Sequence, residues 1–279
     1  MLANVLGLLA AFVYVAGTAV QQQGVLRARR RTGPLLLLLI TTPVWIAGFA
    51  LNLAGFGIHA VALGLGSLAV LSVLQASEVV FMLPFSAWTA KAPIGTRELV
   101  GSAVVLVGLV GTIFYGRVAA GVPDRGAPKL VLAVAIAAVI AGCLVAVSGL
   151  VGNLRAGVLG AASGILYGVM SAMMKIVMDE LEVLGIWGTL TDWRVYVLGL
   201  VGLAALIIQA VALGAGHLSS VLSAILVFNP ITATLIAVTV FGEEFTTSGF
   251  GWLALGVSVV LAIGGALSLA RSPAIAVAH

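Results

Sequence analysis

Long apolar runs constrain this chain more than any other feature. Nine windows carry almost no charge: Leu2 to Val25, Pro34 to Gly64, Ser67 to Ala90, Leu99 to Gly116, Leu130 to Leu150, Ala156 to Met178, Val195 to Gly214, Leu218 to Phe241 and Phe250 to Ala270. Runs of about 20 apolar residues cross a bilayer as helices, because a helix satisfies its own backbone N–H and C=O groups where no water is present. They are too long for the roughly ten-residue alternating strands of an outer-membrane barrel. Composition closes the remaining options: 62% of the 279 residues are hydrophobic and 8% are charged, against about 25% charged in a soluble domain. A soluble enzyme, a nucleic-acid binder and a disordered chain are all excluded. Cys143 lies inside an apolar run, so neither a disulfide framework nor a Cys/His metal cluster is expected. No Lys or Arg precedes the first run, and no signal peptide is expected there.

Charge placement tests the number of spans. The second window would be about 46 Å long as one straight helix, more than the roughly 30 Å hydrocarbon core, so it is expected to tilt, to project, or to break near Gly55 to Gly57. Cytoplasmic loops collect Lys and Arg. Nine spans put Arg27, Arg29, Arg30, Arg31, Lys91, Arg97, Arg155 and Arg271 on one face, and Asp124, Asp179, Glu180, Glu182, Asp192, Glu243 and Glu244 on the other with Arg117, Arg125, Lys129 and Arg194. A tenth span inside the second window would move Lys91, Arg97, Arg155 and Arg271 across. The expectation is an integral protein of the cytoplasmic (inner) membrane, with its N-terminus outside and its C-terminus in the cytoplasm.

An internal repeat organises these spans. Ile58 to Leu68 reads IHAVALGLGSL and Ile208 to Leu218 reads IQAVALGAGHL, so that Gly64 meets Gly214 and Gly66 meets Gly216. Ala3 to Gln22 likewise aligns with Ala156 to Lys175, with Gly7 on Gly160, Tyr14 on Tyr167 and Thr18 on Ser171. Four spans per copy plus one joining span reverse the second copy relative to the first. The expected fold is therefore an all-α polytopic membrane protein: nine transmembrane helices as two inverted four-helix repeats, residues 1–117 and 152–279, joined by a linker helix within 118–151. Inverted repeats of this kind recur in transporters, with substrate near the midplane between the halves.

The segments SGILYGVMSAMMK at Ser163 to Lys175 and NPITATLIAVTVFGEE at Asn229 to Glu244, followed by a Gly-rich last span, resemble the drug/metabolite transporter superfamily. The layout, with Trp45, Gly48 and Gly55 in a long second span, is similar to its NIPA-like magnesium-transporter branch. That branch usually carries an acidic residue directly after the second glycine and an Asn four residues after it. Here Phe56 and His59 stand there, so the resemblance implies the fold and not the ion.

A short set of polar residues inside the spans carries the candidate chemistry. Glu78 lies near mid-bilayer in the third span, where a charged side chain costs at least about 2.5 kcal/mol on insertion scales. It either binds a proton or a cationic solute, or serves as a protonated, hydrogen-bonded structural acid. Gln75 shares its helix face at i, i+3. His59 and Gln209 are repeat-equivalent, as a symmetric gate or an interhelical hydrogen bond would require. Asn229 and Pro230 fall mid-span, where proline frees the Leu226 carbonyl; Pro84 does the same to Val80. Asn52 is expected to hydrogen-bond a neighbouring helix. Lys175 either snorkels to the interface or is a counter-ion to Glu78. His217 is expected at a helix boundary. Gly160, Gly164 and Gly168 form a small-residue packing face.

The expected activity is secondary transport of a small polar or cationic solute by alternating access. A NIPA-like divalent-cation permease, served by the acidic outer face, and a non-transporting subunit of a membrane enzyme are the alternatives. No catalytic set, P-loop, metal site or cofactor is expected. The expected partners are a small-molecule or ion substrate and the bilayer, with no nucleic acid; a homodimer or a membrane-protein partner is left open.

Overall fold

The computed structural model describes residues 1–28, 41–81, 84, 95–116, 118–119, 128–215, 218–245, 247 and 249–270. Arg29, Arg30, Arg31, Lys91, Gly216, His217 and Arg271 lie outside the described residues, as do most neighbours of Pro84. The helices are α1 (Leu2–Ala28), α2 (Pro43–Leu65), α3 (Leu68–Leu74), α4 (Thr96–Tyr115), α5 (Pro128–Val147), α6 (Arg155–Thr191), α7 (Trp193–Ala215), α8 (Leu218–Thr239) and α9 (Phe250–Ala270). Among the described residues, five stretches are long and apolar enough to cross a membrane: Leu2–Val20, Pro43–Leu65, Pro128–Leu150, Arg155–Thr191 and Phe250–Leu269. Shorter apolar helices cover Leu68–Phe81, Leu99–Tyr115, Trp193–Gln209 and Ser223–Thr239. The chain is an all-α integral membrane protein.

Three elements differ from the sequence expectation. α2 starts at Pro43, which stands at a helix start where its missing N–H leaves no bond unmade. It then runs unbroken through Gly55 and Gly57, so no break is needed there. α6 continues well past Met178 and bends at Gly185, whose φ of 67° is a left-handed value that a side chain disfavours. From Arg155 to that bend it would be about 45 Å long at 1.5 Å per residue, so it projects beyond a roughly 30 Å core. Finally, a two-residue ribbon pairs Val118 with Phe245 and Ala119 with Glu244, antiparallel, tying the end of α4 to the segment after α8.

Packing follows from small residues. α1 lies against α2, α6 against α7 and α8, and α4 against α9, while α3 sits between α8 and α1. Gly160, Gly164 and Gly168 on α6 let α8 approach so closely that a Cβ would stand 2.8 Å from Val221 O, 3.0 Å from Ile225 Cα and 2.8 Å from Asn229 O. Gly7 holds the corresponding place on α1, where a Cβ would stand 2.7 Å from Leu71 of α3. Gly168→Ala is expected to push α6 off the α8 backbone and to cost about 1–3 kcal/mol, the usual penalty for overpacking. Thermal unfolding of the purified protein in detergent checks this.

Candidate functional site

The third apolar window is split at its polar residues. α3 ends at Leu74, Gln75 and Ala76 form a turn, and helix resumes over 77–81. Ala76 N–H donates to Val73 O (3.0 Å) and Glu78 N–H to Gln75 O (3.0 Å). These i to i−3 bonds tighten the chain and bring positions three apart over one another, so Gln75 and Glu78 share a face. The break therefore lies before Glu78, earlier than the Pro84 effect on Val80 that the sequence suggests. Backbone irregularity inside a bilayer is tolerated where it lines a cavity or is buried in protein.

Three of the flagged side chains meet across that break. Asn229 Nδ2 donates to Gln75 Oε1 at 2.7 Å, and Gln75 Nε2 lies 3.2 Å from His59 Nε2. An amide NH2 has no lone pair to offer, so His59 Nε2 accepts and its ring carries the proton on Nδ1. A directed chain thus runs from α8 through the break to α2. At its head, Asn229 Oδ1 is buried with no hydrogen-bond partner. Pro230 follows inside α8, which continues through it, and Leu226 O loses its usual helical donor because proline has no N–H.

Glu78 stands beside a pair of tyrosines. Tyr14 of α1 and Tyr167 of α6 both lie within electrostatic reach of its carboxylate, and Tyr167 also of Tyr14. The Tyr167 hydroxyl donates to Gln209 Oε1 of α7. Among the described residues the Glu78 carboxylate has no hydrogen bond or ion pair. Tyr14 and Tyr167 are site residues that hydropathy does not reveal. Their signal in the sequence is a phenol repeated at matching mid-span positions of the two copies. Tyr167→Phe leaves Gln209 Oε1 without its donor and is expected to cost about 1–3 kcal/mol of stability, measurable in a thermal melt.

Other flagged residues lie elsewhere. Asn52 of α2 packs against Gly17 of α1. Lys175 neither snorkels nor pairs with Glu78: it is 7% exposed, and its ammonium donates to Leu63 O (3.1 Å) and Gly66 O (2.7 Å) at the end of α2. Those carbonyls have no donor within their own helix, which is why a buried cation settles there. Glu243, expected on an acidic aqueous face, is 2% exposed and accepts from Ser67 Oγ (2.7 Å), Leu68 N (2.9 Å) and Ala69 N (3.3 Å). Glu180 pairs with Arg194, which also reaches Asp192 Oδ2 at 3.4 Å.

The class these observations define is an all-α integral membrane protein in which buried and half-buried polar side chains from several helices meet at a turn within an apolar window. No protein-family model matches the chain, and no solved structure matches it. It is 30% identical over 280 residues to an uncharacterized protein of Corynebacterium glutamicum, an alignment covering 98% of this chain and 96% of that one. The chain belongs to the same family as that protein.

Proposed function

We propose that the chain is a secondary transporter of the cytoplasmic membrane, resembling the drug/metabolite superfamily, that carries a small cationic solute by alternating access. Its moving parts are two inverted four-helix repeats, 1–117 and 152–279, linked through 118–151, with the N-terminus outside. The matching approach of Gly7 to Leu71 and Gly160 to Val221 supports the repeat.

One observation carries the choice of a cation. Acceptors are left open on both sides of Gln75: the Glu78 carboxylate, three residues on, has no partner among the described residues, and Oδ1 of Asn229, whose Nδ2 donates to Gln75, is buried without a donor. A solute that brings positive charge and N–H donors, such as a protonated amine, would satisfy both at once. A proton on Glu78 would satisfy that carboxylate alone and would return the site unloaded. Exchange of proton for solute at one carboxylate couples the two without ATP. Part of the acidic face that would favour a divalent-ion permease is engaged, since Glu243 and Glu180 are tied to Ser67 and Arg194.

Proteoliposomes with an imposed pH gradient, offered radiolabelled amines, neutral polar solutes and divalent cations, test the proposal. Uptake of an amine that rises with an outward proton gradient supports it. Flux of divalent ions only would favour the permease. Absence of any flux, with an enzyme retained through purification, would favour a subunit role.

A further inference from the structure

The corner between α2 and α3 is gripped by two buried charges that belong to the second half of the chain. Leu65 is the last residue of α2 and Leu68 the first of α3, so carbonyls without donors and N–H groups without acceptors lie side by side. Lys175 of α6 donates to Leu63 O and Gly66 O on the carbonyl side. Glu243 accepts from Ser67 Oγ, Leu68 N and Ala69 N on the amide side. Each charge opposes the helix-end partial charge that it meets.

The sequence around α3 explains why the carboxylate must come from afar. Ser67 takes the first position of a capping box and its Oγ accepts from Val70 N at 3.2 Å. The third following position, where a local Glu would close the box, is Val70 itself. Glu243 brings a carboxylate from 176 residues away, not to the Ser67 N–H that a box Glu would take but to the N–H groups of Leu68 and Ala69 and to Ser67 Oγ. It is aimed by Gly242, whose φ of 63° turns the chain after α8, and its own N–H donates to Ala237 O at 2.9 Å.

We propose that Lys175 and Glu243 form a latch that holds this end of the bundle shut over the polar site at Gln75 and Glu78, and that its release opens the site from that end. The latch rests on the transport reading, yet its opening is a movement that can be measured with no substrate. At the two spacings the sequence match shows, 150 and 153 residues, Lys175 falls opposite Val25 and Gln22, and Glu243 opposite Pro93 and Ala90. This end opens only when two charge-bearing helix contacts part together.

A cysteine reporter tests this in the full chain. Ala76→Cys places a thiol in the turn between Gln75 and Glu78, in a background where the native thiol is removed by Cys143→Ser. A membrane-impermeant maleimide is added to oriented vesicles from each side in turn. Glu243→Gln is expected to raise the labelling rate from the latch end about tenfold or more, as a shift toward the open state, and to leave labelling from the other end unchanged or lower. Ser67→Ala, which removes one of the three donors, should shift labelling in the same direction by less. Equal rises from both ends, or no change in Ser67→Ala whether or not Glu243→Gln folds, would overturn the latch. Missing solute flux with the one-sided rise intact would count against transport and leave the latch standing.

Discussion

Glu78→Gln in proteoliposomes is expected to lower uptake of a cationic solute by about 10- to 100-fold, the worth of a charge-assisted hydrogen bond of about 1.5–3 kcal/mol. The substitution keeps the shape of the side chain, removes its charge and its exchangeable proton, and turns one acceptor oxygen into an NH2 donor. Because no ion pair or hydrogen bond among the described residues depends on the carboxylate, the fold should be unaffected, and a melt of the variant should superimpose on that of the natural protein. Any remaining uptake should no longer respond to a pH gradient, since the exchangeable proton is gone. Full gradient-driven uptake by this variant would remove Glu78 from the mechanism. Loss of folding instead would assign the residue a structural role.

Glu243→Ala should act in the opposite manner, on stability first. It leaves Ser67 Oγ and the N–H groups of Leu68 and Ala69 without their acceptor in a buried corner. Each buried donor left unpaired costs about 1–3 kcal/mol, so the loss is a large part of the roughly 5–15 kcal/mol that holds a typical domain together. Poor yield of monodisperse protein, or a steep fall in melting temperature, is the expected result. Glu244→Ala is the control: its neighbour is exposed in the short ribbon, and a surface change of that kind stays within about 0.5 kcal/mol. Equal melts for the two variants would show that the Glu243 carboxylate contributes nothing to the corner.

Sequence reasoning reached the individual members of the site and not their pairing. Gln75, His59 and Asn229 stand out because a polar side chain inside an apolar run is costly wherever it points. That Asn229 reaches Gln75 and Gln75 reaches His59 depends on helix rotation and on the break at Gln75 and Ala76, for which the apolar run gives no sign. From sequence Glu243 reads as an aqueous acid, because it follows the end of an apolar window. The turn at Gly242 sends it back into the protein instead. Lys175 was misplaced for a related reason: its distance along α6 indicated an interface, whereas the nearest demand for a cation was the buried end of α2.

What the sequence by itself determined is the class of the molecule. Bilayer thickness sets the length of an apolar helix, so the runs alone mark out membrane spans, and the aligned glycines and tyrosines mark corresponding positions in the two halves. Which face of each helix turns inward was decided only in the tertiary structure. In water a buried face announces itself as an apolar stripe, but in lipid both faces are apolar and packing selects small residues instead. Thus Ala10, Ala11 and Val15 of α1 are buried while Leu9 and Phe12 face outward, a division that hydropathy does not contain. The same close packing sets the helix rotations that bring Asn229 to Gln75 and Glu243 to Ser67.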